Sequence, residues 1–430
     1  MTRPVIGFAG MTHLGLVSGV AAAEKGFQLV CFDADESRTS NLTNGQLPVS
    51  EPQLSELVAK NAKRIRFTSR ISDLSSCDLV YVAPDVPTDD QGRSDLAPIN
   101  SLLEGVFGAA HGEAAIVVLS QVPPGYTRSK QRSGRLVYYQ VETLVFGRAV
   151  DRALNPERYI VGCADPAQPL PASYAAFLDA HACPILRMRF ESAELSKIAI
   201  NCCLVASISV ANTLAELCEA IGANWSEIAP ALKLDKRIGA HAYLAPGLGI
   251  AGGNLERDLA TVIRLAGEYG ADAGVVSAWL ANSRHRRDWA ARTIRNTLLR
   301  ENASATVAIW GLAYKENTHS VKNSPSLATI AQLRDAVLRL HDPVVPATAA
   351  AHPNATQAST PLDAVQGADA LMILTPWPEY RSISPSDIAQ AMRGRVVLDP
   401  YAVLDGAAVQ AAGLELHTLG SRPLRDRGGV

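Results

Sequence analysis

The stretch Val5-Ile6-Gly7-Phe8-Ala9-Gly10-Met11-Thr12-His13-Leu14-Gly15 decides the fold. Val5 to Ala9 is a short apolar run that reads as a buried strand, and Leu14 to Lys25 carries the apolar spacing of a helix. Gln28 to Phe32 is a second apolar run, and Asp33 ends it. Strand, glycine turn, helix, strand and acid in this order form the fingerprint of a dinucleotide-binding unit, except that Thr12 stands where the second glycine belongs. That glycine lets the backbone approach a pyrophosphate. A Cβ there pushes the phosphate away, although a threonine hydroxyl could donate a hydrogen bond in return. A plain strand-to-helix turn without a ligand is the alternative reading. Asp33, placed to bind a ribose hydroxyl, favours the cofactor, and because it repels a 2′-phosphate it favours NAD over NADP.

Outward from this stretch, strand patterns recur at Leu79 to Ala83 and Ala115 to Leu119, alternating with helical ones. Such alternation predicts a parallel sheet with crossover helices. Ser192 to Ile221 then reads as one long helix, apolar on every side and ended by Gly222, which predicts burial between domains or subunits. A glycine-rich loop follows at Pro246 to Gly253, with more helix from Asp258 to Arg300. A second alternation begins at Thr306 to Trp310 and continues through Val337 to His341, Ala370 to Leu374 and Val396 to Leu398. Val344 to Pro361, rich in Ala and Thr, reads as a surface connection. The expected fold class is α/β: two parallel-sheet domains joined by a helical middle.

Of the 430 residues, 47% are hydrophobic and 19% charged, an ordinary balance for a globular protein of two or three domains. Lys and Arg number 40 against 42 Asp and Glu, so no overall field draws the chain to nucleic acid or to an anionic membrane. The N-terminus lacks a signal-peptide pattern, and no stretch of roughly 20 uninterrupted apolar residues predicts a membrane span. The seven cysteines (31, 77, 163, 183, 202, 203 and 218) are odd in number and scattered, without the paired spacing of a metal site. They read as reduced thiols of a cytoplasmic protein, and no metal is expected.

Further segments carry a resemblance. In order they are Leu42 to Leu54 (LTNGQLPVSEPQL), Ala83 to Leu96 (APDVPTDDQGRSDL), Ser120-Gln121-Val122-Pro123-Pro124-Gly125, Glu142 to Gly162, Ala193-Glu194-Leu195-Ser196-Lys197 through Asn201, Arg237-Ile238-Gly239, the glycine loop with Asp258, and Gly311-Leu312-Ala313-Tyr314-Lys315. Together they resemble the UDP-glucose/GDP-mannose dehydrogenase family over nearly the whole chain. The resemblance implies a Rossmann-like NAD-binding domain over 1–190, a central helical dimerisation domain over 191–300 containing the glycine loop, and a Rossmann-like nucleotide-sugar-binding domain over 301–430. It further implies a homodimer, a nucleotide sugar (a UDP-sugar foremost) as substrate, and oxidation of its C6 alcohol to the carboxylate with two NAD.

By resemblance, Lys197 and Asn201 would stabilise an oxyanion, and their spacing of four puts both on one helical face. Glu142 and Asp258 match acid/base positions; around Glu142 only Leu144 also survives of the family's N-P-E-F-L segment. The cofactor set would be Gly10, Thr12, His13, Leu14, Gly15, Asp33, Arg38, Val86 and Gln121, and the substrate set Arg237, Tyr243, Gly249, Lys315 and Tyr401. Apart from the family, a lysine on an apolar helix or an isolated Arg237 or Lys315 would read as a solvated charge. The departures are as telling. Asn254 stands where the family's loop has its nucleophilic cysteine, and a carboxamide nitrogen, its lone pair delocalised, forms no thiohemiacetal or thioester. Val86 and Gln121 each replace a threonine, Tyr401 and Lys322 each an arginine, and Arg257 a lysine. Three readings follow: an oxidoreductase limited to hydride transfer or altered in chemistry, a catalytically silent binding protein, or the full four-electron enzyme by a route without cysteine.

Overall fold

A computed structural model describes residues 3–87, 89 and 93–424. Parts of the segment Ala83 to Leu96 and of the expected 301–430 domain therefore lie outside the described residues. The chain divides into two compact units, Met1–Ile200 and Asn201–Val430.

The first unit is built on an eight-stranded sheet: β1 (Val5–Ala9), β2 (Gln28–Phe32), β3 (Ile65–Thr68), β4 (Leu79–Val82), β5 (Ala115–Val118), β6 (Leu136–Gln140), β7 (Tyr159–Cys163) and β8 (Ile185–Arg189), in the order β3-β2-β1-β4-β5-β6-β7-β8. All neighbours are parallel except β6 and β7. The apolar runs have a direct cause. In β4, Leu79 and Tyr81 enter the core on one face while Val80 and Val82 enter the core on the other, so a strand covered on both sides cannot alternate with polar residues. Helix α1 (His13–Glu24) covers one face through Leu16, Val17 and Val20.

Helix α2 (Phe190–Ile221) runs 32 residues, from the first unit into the second. Within a single chain its burial is uneven. Phe190, Ala193, Ile198, Val205, Ala211 and Ala215 are buried, whereas Val210, Leu217 and Ile221 are half exposed or more in this single chain. Among the described residues it is the one helix long and apolar enough to cross a membrane by length and composition, where no such stretch was expected. Its charges are nevertheless committed within the fold: Lys197 pairs with Glu142 and Glu219 with Arg286.

The second unit continues with α3 (Trp225–Leu234), α4 (Asn254–Tyr269), α5 (Gly274–Arg287) and α6 (Trp289–Ile294). The single helical stretch expected over 258–300 is thus broken, first at Gly270, whose φ of +72° suits a glycine helix stop. A six-stranded parallel sheet follows, β9 (Thr306–Trp310), β10 (Val337–His341), β11 (Ala355–Gln357), β12 (Ala370–Ile373), β13 (Val396–Leu398) and β14 (Glu415–His417), in the order β11-β10-β9-β12-β13-β14. Leu248, Trp289 and Ile294 share its core, so helices expected in a central domain pack as one body with this sheet. The stretch 344–361 is more than a surface connection: it contributes the edge strand β11 and buries Val345, Ala347, Ala350 and Ala358.

The two sheets close their first turns by the same device. Gly10 (φ +95°) donates its N–H to the Phe32 carbonyl at 2.8 Å, and Gly311 (φ +93°) donates to the His341 carbonyl at 2.8 Å. Asp33 accepts from Met11 N at 2.7 Å and Asp35 N at 3.0 Å. Asp342 accepts from Leu312 N at 2.6 Å, Ala313 N at 3.0 Å, Val344 N and Val345 N at 2.9 Å each, and the Trp377 indole N–H at 3.1 Å. Removing the second carboxylate strands several buried donors. Asp342→Ala is therefore expected to destabilise the second unit by about 3 kcal/mol or more, read from urea unfolding; a loss under about 1 kcal/mol would show that the turn closes without it.

Candidate functional site

The glycine turn after β1 has the close packing the fingerprint requires. A Cβ on Gly15 would lie 1.9 Å from the Gly10 carbonyl oxygen, and one on Gly10 would lie 2.8 Å from Pro84 N. The turn, the N-terminus of α1 and Asp33 at the end of β2 form the cradle of a dinucleotide, and these residues fit NAD. Arg38 reaches back to Asp33 Oδ2 at 2.8 Å, so guanidinium and carboxylate stand together at the expected ribose position. Thr12 is the N-cap of α1. Its hydroxyl accepts from Asp85 N at 2.8 Å, and Asp85 Oδ2 in turn accepts from His13 N at 3.1 Å. The hydroxyl thus serves as an acceptor within the protein, beside the donor role foreseen for it. Leu14 is buried against the sheet. The His13 ring hydrogen-bonds Glu51 Oε1 at 2.8 Å and stacks on Phe146, 4.2 Å between centroids. Glu51 is buried and also accepts from Gly147 N and Ala149 N.

Glu142 follows β6, and its Oε1 lies 2.6 Å from Lys197 Nζ, with both side chains about one-sixth exposed. Leu144 N donates to the other oxygen of Glu142 at 2.9 Å, which fixes the carboxylate. A carboxylate and an ammonium in contact, still open to solvent, can take a proton and stabilise an oxyanion at one atom. Gln121 and Val86 are half-buried on the loops after β5 and β4, joined where Ser120 Oγ donates to the Pro84 carbonyl at 2.5 Å. Glu194, one turn before Lys197, is fully buried and accepts from Gly125 N at 2.6 Å and Thr127 N at 2.8 Å, while burial raises its carboxyl above the usual range. It holds the Ser120 to Gly125 loop to α2.

In the second unit the glycine loop is clamped from two helices. Gly247 N donates to Asn212 Oδ1 on α2 at 2.8 Å, and Ile250 N to Ser283 Oγ on α5 at 2.7 Å. Gly249 (φ +75°) lies so close to α5 that a Cβ would stand 2.3 Å from the Ser283 carbonyl oxygen. A Cβ on Gly252 would meet the Tyr314 ring at 3.2 Å, and one on Gly247 the Tyr401 ring at 3.9 Å. Burial raises the Tyr401 phenol above its ordinary range. The loop ends at Asn254, which is exposed and opens α4. Asp258, one turn on, is 1% exposed and accepts from Asn201 at 2.5 Å and from Arg257 Nε at 3.2 Å. The structure thus brings Asn201 and Asp258 together, and the loop against Tyr314 and Tyr401. Lys315 is half-buried with its ammonium 5.7 Å from the Tyr314 ring centre.

Arg237 and Tyr243 stand apart: Arg237 is on an exposed turn in contact with Asp235, and Tyr243 is about half exposed. Cys202 packs with Val205, Ile250 and Leu259, and burial, helped by the Asp258 charge, raises its thiol. Sequence reasoning missed Glu51, Asp85 and Glu194 as organisers of these loops. Each lies in a quoted motif, but only the folded chain shows which backbone N–H groups they reach.

Three profiles of the UDP-glucose/GDP-mannose dehydrogenase family match the chain: the NAD binding domain over residues 5–175, the central domain over 191–284 and the UDP binding domain over 308–406. The chain is 30% identical to the UDP-glucose 6-dehydrogenase TuaD of Bacillus subtilis, covering 98% of this chain and 94% of that protein. It is 32% identical to a UDP-glucose 6-dehydrogenase of Pseudomonas aeruginosa, with 91% of each covered. A UDP-glucose dehydrogenase from Pyrobaculum islandicum superposes with a TM-score of 0.82 at 26% identity, over 95% of this chain and 98% of that one. A UDP-D-ManNAc dehydrogenase from Pyrococcus horikoshii shares the fold, with a TM-score of 0.84 at 22% identity over 97% and 99% of the two chains. With the fingerprint turn, the Glu142–Lys197 pair and the clamped glycine loop in place, the chain belongs to the UDP-glucose/GDP-mannose dehydrogenase family of NAD-dependent nucleotide-sugar dehydrogenases.

Proposed function

We propose that this protein removes hydride from a CH–OH carbon of a UDP-sugar and that its chemistry proceeds without a covalent thioester. The observation that carries the reading is the contrast between two positions: the Glu142–Lys197 contact at 2.6 Å retains the groups for alcohol oxidation, while Asn254 occupies the head of α4 where the family's nucleophilic cysteine is expected. NAD, when bound, supplies the hydride acceptor. Glu142 takes the hydroxyl proton, and the Lys197 ammonium, already beside it, stabilises the negative charge that develops on oxygen. One oxidation to the aldehyde then closes in atoms and electrons: a hydride to the cofactor and a proton to Glu142. Any acid formed must come by addition of water to the aldehyde and loss of a second hydride from the hydrate, because no residue at the loop position traps the carbonyl carbon.

In this reading Asn201 and Asp258 orient water or the sugar oxygen, and Gly249, Lys315 and Tyr401 contact the nucleotide sugar. Arg237 and Tyr243, exposed in one chain, reach the sugar of a neighbouring subunit. The open apolar residues of α2, among them Val210, Leu217 and Ile221, support a homodimer through that helix.

With a suitable UDP-sugar, about one NADH is expected per substrate consumed. Two NADH with an acid by mass spectrometry would overturn the limited reading. Asn254→Cys in the same assay is expected to raise the count toward two. Lys197→Met is expected to lower kcat by about 100-fold or more while leaving NAD binding by calorimetry unchanged; an unchanged kcat would remove Lys197 from the chemistry.

A further inference from the structure

The N-terminus of α1 is where a dinucleotide pyrophosphate is received, because its backbone N–H groups lack helical partners and its dipole favours negative charge. In this chain a carboxylate is already there. Asp85 Oδ2 accepts the His13 N–H, the first of the helix, while Asp85 N donates to Thr12 Oγ1, so residue 85 and the Thr12–His13 step bond each other reciprocally. Asp85 is exposed, and no described cation pairs with it among the ion pairs of the structure. The nearby charges are otherwise committed: Arg38 to Asp33 and Asp35, and the His13 ring to Glu51. The substituted fingerprint therefore presents an acidic side chain, in addition to the Thr12 Cβ, to an incoming diphosphate.

We propose that Asp85 is an affinity-determining residue of the NAD site, a built-in anion that takes the place of a phosphate oxygen at the head of α1. NAD binds only as this carboxylate turns away from His13 N, and its like charge opposes the pyrophosphate. The cost falls on the diphosphate and leaves the adenosine end, held at Asp33 and Arg38, untouched. The proposal rests on NAD as the cofactor.

The test is calorimetric titration of the wild type, Asp85→Asn and Asp85→Ala with NAD, ADP-ribose and adenosine. Asparagine keeps the shape and the acceptor but loses the charge, which guards against misfolding of the alanine form. Both variants are expected to bind NAD and ADP-ribose about tenfold more tightly or better, with adenosine unchanged. The advantage should shrink at high salt, where exposed charges are screened. Unchanged or weaker NAD binding in both variants, or an equal gain for adenosine, would overturn the proposal while leaving the cofactor in place. If no form binds NAD or ADP-ribose, the cofactor assignment fails with it.

Discussion

The architecture depends on one interaction used twice: an aspartate at the end of the second strand that accepts the backbone N–H groups of the glycine turn after the first. The turn must reverse the chain tightly between strand and helix, which leaves its N–H groups pointing at buried space, and a buried donor without a partner is costly. Asp33 serves Met11 and Asp35, and Asp342 serves Leu312, Ala313, Val344, Val345 and Trp377. In both sheets the glycine itself, Gly10 or Gly311, sits at positive φ and bonds the last carbonyl of the neighbouring strand. Both carboxylates are 6% exposed; the first has Arg38 alongside, and the second bonds an indole and two further N–H groups. One geometry thus yields a lightly bonded turn in the first unit and a more heavily bonded one in the second.

Helix α2 carries unlike residues on successive turns. Glu194 is buried and holds a loop, Lys197 contacts the proposed base, Asn201 contacts a buried acid, and Asn212 holds the glycine loop. Glu194 and Lys197 belong to the first unit, Asn201 and Asn212 to the second. Apolar residues occupy most positions in between, which is why the sequence looks hydrophobic all round, and some of them, such as Val210, are exposed in a single chain.

None of the seven cysteines lies in the glycine loop or at the head of α4. Seven cysteines are present, and the described surroundings of Cys31, Cys77 and Cys202 are apolar, so that burial raises their thiols, Cys77 to about 12. Raised thiols are poor nucleophiles at neutral pH. The loop where a helix N-terminus would have lowered a thiol carries Asn254.

By itself the sequence determined the fold and the family. Val5 to Gly15 with Asp33, and Thr306 to Lys315 with its following strands, are local patterns whose hydrophobic period and glycine positions specify strand, turn and helix without distant partners. The strands β3, β6, β7, β8 and β14 escaped it; of these, Ile65–Thr68 and Ile185–Arg189 carry charges at a sheet edge and resemble loops. So did β11 within an Ala- and Thr-rich stretch that reads as a connection. Only the tertiary structure decided which groups Glu51, Asp85 and Glu194 would bond, since their partners are 38 to 98, 72 to 73 and 67 to 69 residues away. Contacts of that separation depend on how the sheet brings loops together, and no local period encodes them. The same holds for the phosphate turn: Thr12 was visible as a substitution, but the carboxylate of Asp85 at the head of α1 exists only after strands β1 and β4 pair side by side.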